Sequence, residues 1–367
     1  MIAKYRICAQ LCCFLLCSYA THSFAQQSVQ ALPPGAATES PSNTASRHIT
    51  LDVVVADQAG QAVRGLQQSN FTVLDDKQPQ PLTSFRSVEN PTAKPDPPVE
   101  VILVVDEVNT SFHDVAIVRQ QAAQFLGQNG GKLEWPVSLV FFTVSGAVGG
   151  TPSQDGNALI AELNQRATAL RGATRSQGLH GAVERINLSL RTLGQLIDYQ
   201  IPRPGRKLVI WISTGWSLLS TPRVELSSKD QQGLFASIVG ISTGMRNARI
   251  TLYNVNPIGS GGGVLKSYYK DFVKGVKTPN QVRTGNLALQ VLAYQSGGLV
   301  LNSSNDLAGE IATCVHDANA FYLLTFEGAI ADGPNDYHAL EVTTDRPGLE
   351  VRARTGYYAQ PDHVRAP

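Results

Sequence analysis

The residues best placed for chemistry lie in VILVVDEVNTSF, positions 101–112. A run of branched apolar residues ends at Asp106 and is followed by Glu107, Asn109, Thr110 and Ser111, then Phe112. A carboxylate at the end of a buried strand, with hydroxyl oxygens just beyond it, is a pattern that suits a hard divalent cation, because such ions take oxygen ligands. The same residues have a structural reading. Asp106 can cap the following helix or bond the backbone of neighbouring loops. Both readings stay open on the residues alone. On a strand-like path Glu107 points away from Asp106 and so adds little to a shared site.

Other chemistry finds less support. His113, His180 and His316 have no mutual spacing of the kind that places two ligands on one helix face. No G-x-S-x-G turn presents a serine nucleophile, and the chain is read as non-enzymatic with no small-molecule substrate. IGSGGGV at 258–264 lacks the Lys-Ser/Thr of a phosphate loop and reads as a flexible surface loop. LKSYYKDF at 265–272 suits either a binding surface or half-buried loop anchors. Cys314 sits with Ile311 and Val315 as a core residue, without the basic neighbours of a reactive thiol.

Strands alternating with helices must position Asp106. VILVV (101–105), VSLVFFTV (137–144), KLVIWIS (207–213), RITLYNV (249–255) and GLVLN (298–302) are nearly continuous apolar runs, as expected of strands covered on both faces. Between them, 112–127, 178–199, 229–247, 284–296 and 305–319 carry apolar residues at helical spacing, with Ser111 and Asp114 as a start signal for the first. The pattern predicts an α/β layer with a mainly parallel sheet flanked by helices. Ligands of such sheets bind at the carboxyl ends of strands, where Asp106 lies.

On either side the pattern is that of strands alone. Ile49, Leu51, Val53 and Val55 alternate with less apolar residues, and FTVLDD (71–76) and LTSFRSV (82–88) follow. After 320 come FYLLTFE, YHALEVTT and LEVRART, separated by turn-forming residues. Neither block is large enough to bury a core alone, so the two are expected to complete one β-sandwich into which the α/β layer is inserted.

At the N-terminus, Lys4 and Arg6 precede the apolar run Leu11–Leu16 and a small-x-small cleavage pattern at Ser23-Phe24-Ala25, so 1–25 reads as a secretory signal peptide. Residues 26–47 read as a disordered linker, 48–90 as a β segment, 98–320 as the α/β domain and 321–360 as the second β segment. The expected location is periplasmic or extracellular, with no transmembrane segment once the leader is removed. Cys8, Cys12, Cys13 and Cys17 leave with the leader, so Cys314 has no partner for an internal disulfide. Without Lys4 and Arg6, 28 basic residues face 29 acidic ones, which gives no electrostatic reason to expect nucleic acid.

VILVVDEVNTSF resembles the first strand and metal-site loop of von Willebrand factor type A domains, whose pattern there is Asp-x-Ser-x-Ser. With LDVVVADQAGQAVRGLQQSNFTVLDD, GRKLVIWISTGW and RPGLEVRARTGYY, the chain looks like bacterial secreted proteins described as VWFA-related, in which a Rossmann-like A domain is bracketed by β segments. The resemblance implies a magnesium ion held by an aspartate, two serines, a threonine of a second loop and an aspartate of a third, with one coordination position for an acidic residue of a protein partner.

Carried over by position, Asp106 matches the first aspartate, Val108 replaces the first serine, Thr110 stands at the second, and GAT at 172–174 makes Thr174 the second-loop threonine. Ser213-Thr214-Gly215 replaces Thr-Asp-Gly in the third loop, so the second carboxylate is missing. The implied metal set is thus reduced to Asp106, Thr110 and Thr174, and one carboxylate with neutral hydroxyls holds magnesium weakly. The resemblance also places Asp106, Glu107, Asn109, Thr110, Ser111, Phe112, Thr174, Thr214 and Trp216 around a binding face at the top of the sheet, where Phe112 and Trp216 either make recognition apolar or each pack under a loop. The expected function is a protein-binding or scaffolding module. The alternative is an envelope component whose A domain has no ligand site.

Overall fold

A computed structural model describes residues 47–89, 98–167, 178–216, 226–331 and 333–361. The expected leader, nearly all of the linker and Thr174 lie outside these residues.

The first strands are β1 (His48–Ala56), β2 (Phe71–Asp75), β3 (Gln78–Gln80) and β4 (Leu82–Val88). Then the chain alternates: β5 (Val99–Asp106), α1 (Phe112–Leu126), β6 (Lys132–Thr143), β7 (Gly146–Gly149), β8 (Ser153–Asp155), α2 (Gly156–Ala167), α3 (Gly178–Gln200) and β9 (Arg206–Ile212). It continues through α4 (Ser228–Asn247), β10 (Ile250–Val255), α5 (Leu289–Gln295), β11 (Val300–Leu301) and α6 (Leu307–His316). The last strands are β12 (Phe321–Glu327), β13 (Asp336–Thr344), β14 (Glu350–Arg352) and β15 (Gly356–Ala359).

The alternating stretch forms one sheet in the order β11-β10-β9-β5-β6-β7, with β8 also on β6. The β5–β6, β5–β9, β9–β10 and β10–β11 pairs are parallel, while β7 and β8 run antiparallel to β6. β9 and β10 are buried at every residue, as their continuous apolar runs require. Period-2 alternation divides β5 between two cores. Ile102 and Val104 join Val209, Trp211 and residues of α3, α4 and α5 on one face; Val101, Leu103 and Val105 join Leu208, Ile210 and residues of α1, α2 and α6 on the other.

Local chemistry sets where the helices begin. The Ser111 hydroxyl accepts from the Asp114 amide at 3.2 Å to open α1, and Ser227 does the same for α4 from the Asp230 amide. Three expectations need correcting. The strand expected over 298–302 is only Val300–Leu301, because it sits at the sheet edge with one neighbour. The helix expected over 284–296 divides into a 3-10 turn at Thr284–Leu287 and a short α5, where the Asn286 side chain accepts from the Arg283 amide and donates to the Phe272 carbonyl instead of continuing one helix. The Gly-rich run after β10 forms 3-10 turns over Gly259–Phe272, with Tyr269 and Phe272 buried as anchors and Tyr268 packed edge-on against Phe272.

The outer strands pair across the whole length of the chain. One sheet has the order β14-β1-β12-β4 and the other β15-β13-β2-β3. Leu51 of β1 stands opposite Leu324 of β12, and Val73 of β2 opposite Val342 of β13. Both sheets contribute to one apolar core, which includes Ile49, Val53, Phe71, Tyr322, Phe326 and Tyr357. The architecture is therefore a mixed α/β layer with a largely parallel sheet, accompanied by two antiparallel sheets. Among the described residues no helix is long and apolar enough to cross a membrane.

Candidate functional site

Asp106 is the last residue of β5 and only 1% exposed. Its side chain shares a face of the sheet with Val104, and the parallel register sets Val104 beside Trp211 of β9. The Trp211 indole therefore reaches along the strand direction, and its Nε1 donates to Asp106 Oδ2 at 2.9 Å. Asn109 Nδ2 donates to the same oxygen at 2.9 Å. Oδ1 accepts from the amides of Val108 at 3.0 Å and Asn109 at 2.8 Å. Burial pushes the carboxyl above its ordinary value, against the opposing pull of Trp211, the Asn109 amide and side chain, and the Ser213 hydroxyl. Both oxygens are thus fully engaged by donors, which is how a buried carboxylate is made tolerable.

The surrounding loops are tied to this centre. Asn109 Nδ2 also donates to Ser189 Oγ of α3 at 2.9 Å. The Thr214 hydroxyl donates to the Asn109 carbonyl at 3.1 Å, joining the loop after β9 to the loop after β5. Asn254 Nδ2 of β10 donates to the Ser213 carbonyl at 2.9 Å. Gly215 turns the chain here at φ +96°, and a Cβ on it would lie 2.1 Å from Gln290 Nε2. Glycine alone fits both the backbone angle and that approach.

The nine residues expected at a binding face separate into distinct groups. Asp106 and Thr110 are buried, and Asn109 and Thr214 are half-buried in the hydrogen-bonded loops. Glu107 lies on the other side of the strand path and pairs with Arg119 of α1 at 2.5 Å. Ser111 is the exposed cap of α1, and Phe112 beside it is 68% exposed. Of the two expectations for Trp216, an apolar recognition surface and packing under a loop, it takes the second. The turn at Gly215 sends it into the core, edge-on to Trp211 with ring centroids 5.4 Å apart. Thr174 lies outside the described residues.

This donor set does not suit a divalent cation. The groups nearest the Asp106 oxygens are N–H donors, which offer a metal no lone pair. Displacing them would leave the buried Trp211 N–H without its acceptor, a cost of about 1–3 kcal/mol, while the ion would gain one carboxylate. Val108, at the position of the first serine, is buried and apolar. Elsewhere, Asp75, Asp76 and His338 come together in the antiparallel sheets. There Asp75 accepts from the Tyr357 hydroxyl at 2.7 Å and lies 2.9 Å from His338 Nδ1, so the buried carboxylate is already engaged by protein partners.

Sequence reasoning missed Trp211, Ser189 and Asn254. The one available signal was Trp211 itself, since a tryptophan inside a fully buried strand needs an acceptor for its N–H.

The loops at the carboxyl ends of the parallel strands have a second property in common. Phe112 after β5, Val144 after β6 and Ile258 after β10 are 68%, 57% and 45% exposed. Each is an apolar side chain exposed to water beyond the same end of the sheet as Asp106.

No protein-family model matches the chain, and no curated protein matches it. Among solved structures it is similar to the pilus adhesin SpaC from Lactobacillus rhamnosus GG, at 12% identity over 82% of this chain and 43% of that one, with a TM-score of 0.36. It is also similar to the three N-terminal domains of the type V pili tip protein Mfa5 from Porphyromonas gingivalis, at 9% identity over 86% and 69% of the two chains, with a TM-score of 0.32. The chain spans less than half the length of the adhesin it matches. Likenesses of this size leave function to be argued from the site.

Proposed function

We propose that this is an exported, non-enzymatic protein-binding module: a von Willebrand type A domain over 98–320 set into a β-sandwich built from 48–90 and 321–360. The leader at 1–25 directs export to the periplasm or beyond, and the linker at 26–47 tethers the folded part. Recognition uses the loops at the carboxyl ends of the parallel strands and needs no metal ion. The observation that carries this reading is that Phe112, Val144 and Ile258 are exposed after three parallel strands of one sheet, at the same end as an Asp106 whose oxygens accept from four donors. Exposed apolar side chains gathered at one edge are what a protein interface buries. An Asp106 so engaged has no valence left for a bridging cation.

The test is site-specific photocrosslinking of the full chain in its native envelope, with the probe at 112, 144 or 258 and control probes at Ile201 and Ile330, which are exposed elsewhere. The reading expects one discrete adduct shared by the three loop positions, absent from the controls and unchanged by EDTA. Loss of the adduct in EDTA would restore a metal to the interface. An absence of adducts at all three positions would favour the second reading, a structural component whose A domain has no ligand site. The saturated Asp106 is the observation that keeps that second reading in play.

A further inference from the structure

At the opposite, amino-terminal edge of the parallel sheet, three arginines from separate parts of the chain converge on one small, solvent-open pocket. Arg246 comes from the last turn of α4, Arg249 from the residue before β10, and Arg354 from the tail that follows β14. The only carboxylate lining the pocket is Asp52 of β1. It is taken by Arg249, whose Nη2 and Nε both reach it.

Among the described residues, Arg246 and Arg354 form no ion pair. Arg354 reaches only the carbonyls of Ser242 and Ile250, at 3.5 and 3.4 Å, the outer limit of a hydrogen bond. Arg246 lies over the Tyr357 ring at 5.9 Å. Three guanidiniums against one carboxylate leave two positive charges uncompensated in a half-enclosed space, an arrangement that costs stability rather than adding to it. Arg249 adds a further cost. It holds φ +53°, a left-handed conformation that a non-glycine residue adopts only where its surroundings impose it. Burial and the neighbouring guanidinium of Arg246 pull Arg354 down to about 10, against the opposing pull of Asp52, and burial lowers Arg246 as well.

We propose that this pocket is a binding site for a tetrahedral oxyanion, a phosphate group above all. The planar forks of Arg246 and Arg354 would supply bidentate contacts. Thr251 and Ser296 line the floor beside them. The bound anion would add a further link between β1 and the C-terminal tail of the antiparallel sheets and α4 and β10 of the parallel sheet, beside the existing Arg249–Asp52 pair.

The experiment is calorimetric titration of the full chain, purified without phosphate or sulfate, with sodium phosphate at fixed ionic strength against a sodium chloride reference. The site predicts saturable one-to-one binding with Kd on the order of millimolar or tighter, as two charge-assisted forks supply. Arg246→Gln removes a side chain that holds no hydrogen bond in the fold and should weaken binding about tenfold or more. Asp52→Asn removes the competing carboxylate and should tighten it. Glycerol 3-phosphate distinguishes sources: equal affinity assigns the pocket to the terminal phosphate of a small ester, and rejection assigns it to the free ion. Heats no larger than those of chloride would overturn the proposal. So would phosphate binding that Arg246→Gln and Asp52→Asn both leave unchanged, since such binding would lie elsewhere.

Discussion

The two ends of the parallel sheet handle buried charge in opposite ways. At the carboxyl end the Asp106 carboxylate is surrounded by neutral donors from its own loop and from Trp211. At the amino end charge is concentrated. Asp317 takes both Nη atoms of Arg352 at 2.8 and 2.6 Å and the Tyr253 hydroxyl at 2.7 Å, while its carbonyl accepts from Arg206 at 2.6 Å. Beside it, Lys207 donates to the carbonyls of Gln200 and Arg203, and the pocket of Arg246, Arg249 and Arg354 holds more positive than negative charge. The carboxylate that looks most like a metal ligand therefore has both oxygens engaged. The end that no sequence motif marks is the one with valence to spare. A carboxylate at a strand end is thus a candidate only until its partners are counted.

The largest expected effect breaks the amino end. Asp317→Ala leaves the Arg352 guanidinium, whose side chain is 13% exposed, with only the exposed Glu350 at 3.9 Å as counter-charge. Loss of one partner of a buried pair costs about 3–5 kcal/mol, and here it also releases β14 from the sheet it helps to anchor. Urea denaturation should show the drop in midpoint. A loss under about 1 kcal/mol would mean the pair is solvated and behaves as a surface contact.

Next comes the carboxyl end. Asp106→Asn keeps shape but turns a donor towards Trp211 Nε1 and Asn109 Nδ2, so two donors face one. A buried donor left unsatisfied costs about 1–3 kcal/mol, and the variant should lose stability in that range, equally in magnesium and in EDTA. Stability that depends on magnesium in the parent chain and not in the variant would reverse the contrast between the two ends.

These partners explain how much could be read from the sequence. The buried strands were legible because apolar residues on both faces leave few other folds for VILVV or KLVIWIS. Asp106 was legible as a residue. Its meaning was not, because Trp211 lies 105 positions away and becomes its neighbour only through the register that sets Val104 beside Trp211. Edge elements were the least legible: a strand with one neighbour, such as Val300–Leu301, is cut short by the pairing it lacks, which apolar pattern does not encode. Arg246, Arg249 and Arg354 carry no spacing signal, and only the approach of β1 and the C-terminal tail to α4 brings them together.

Lys207 gives the amino end a pH dependence on the alkaline side. Burial is the main reason it falls to about 8, with Arg249 and Arg203 adding to the shift and Glu100 and Asp52 opposing it. Its value in the unfolded chain is near 10.4. Between about pH 8 and 10.4 the unfolded state therefore binds more protons, and stability rises with pH. Below pH 8 both states are charged and the cost is constant. The gain across the window is up to about 3 kcal/mol. It should appear as the difference between parent and Lys207→Gln in denaturation midpoints at pH 7.5 and 10, a comparison in which the tyrosines titrate alike in both chains. A constant difference would mean that the Gln200 and Arg203 carbonyls hold the ammonium charged throughout.

The smallest effect has an unusual sign. Removing a surface arginine normally changes stability little and in either direction. If Arg246 stands uncompensated against Arg354, however, Arg246→Gln should raise the stability of the phosphate-free chain, because it removes repulsion and loses only a marginal contact with Tyr357. The gain should be a few tenths of a kcal/mol in about 20 mM salt and should vanish near 300 mM, where the Debye length is shorter than about 8 Å. Asp106→Asn, with no net charge nearby to unbalance, should show no comparable salt dependence. Thermal melts of the two variants at both salt concentrations decide the point: parallel salt responses would place both ends of the sheet in the same electrostatic class, and opposite ones would confirm that only the amino end holds charge in want of a partner.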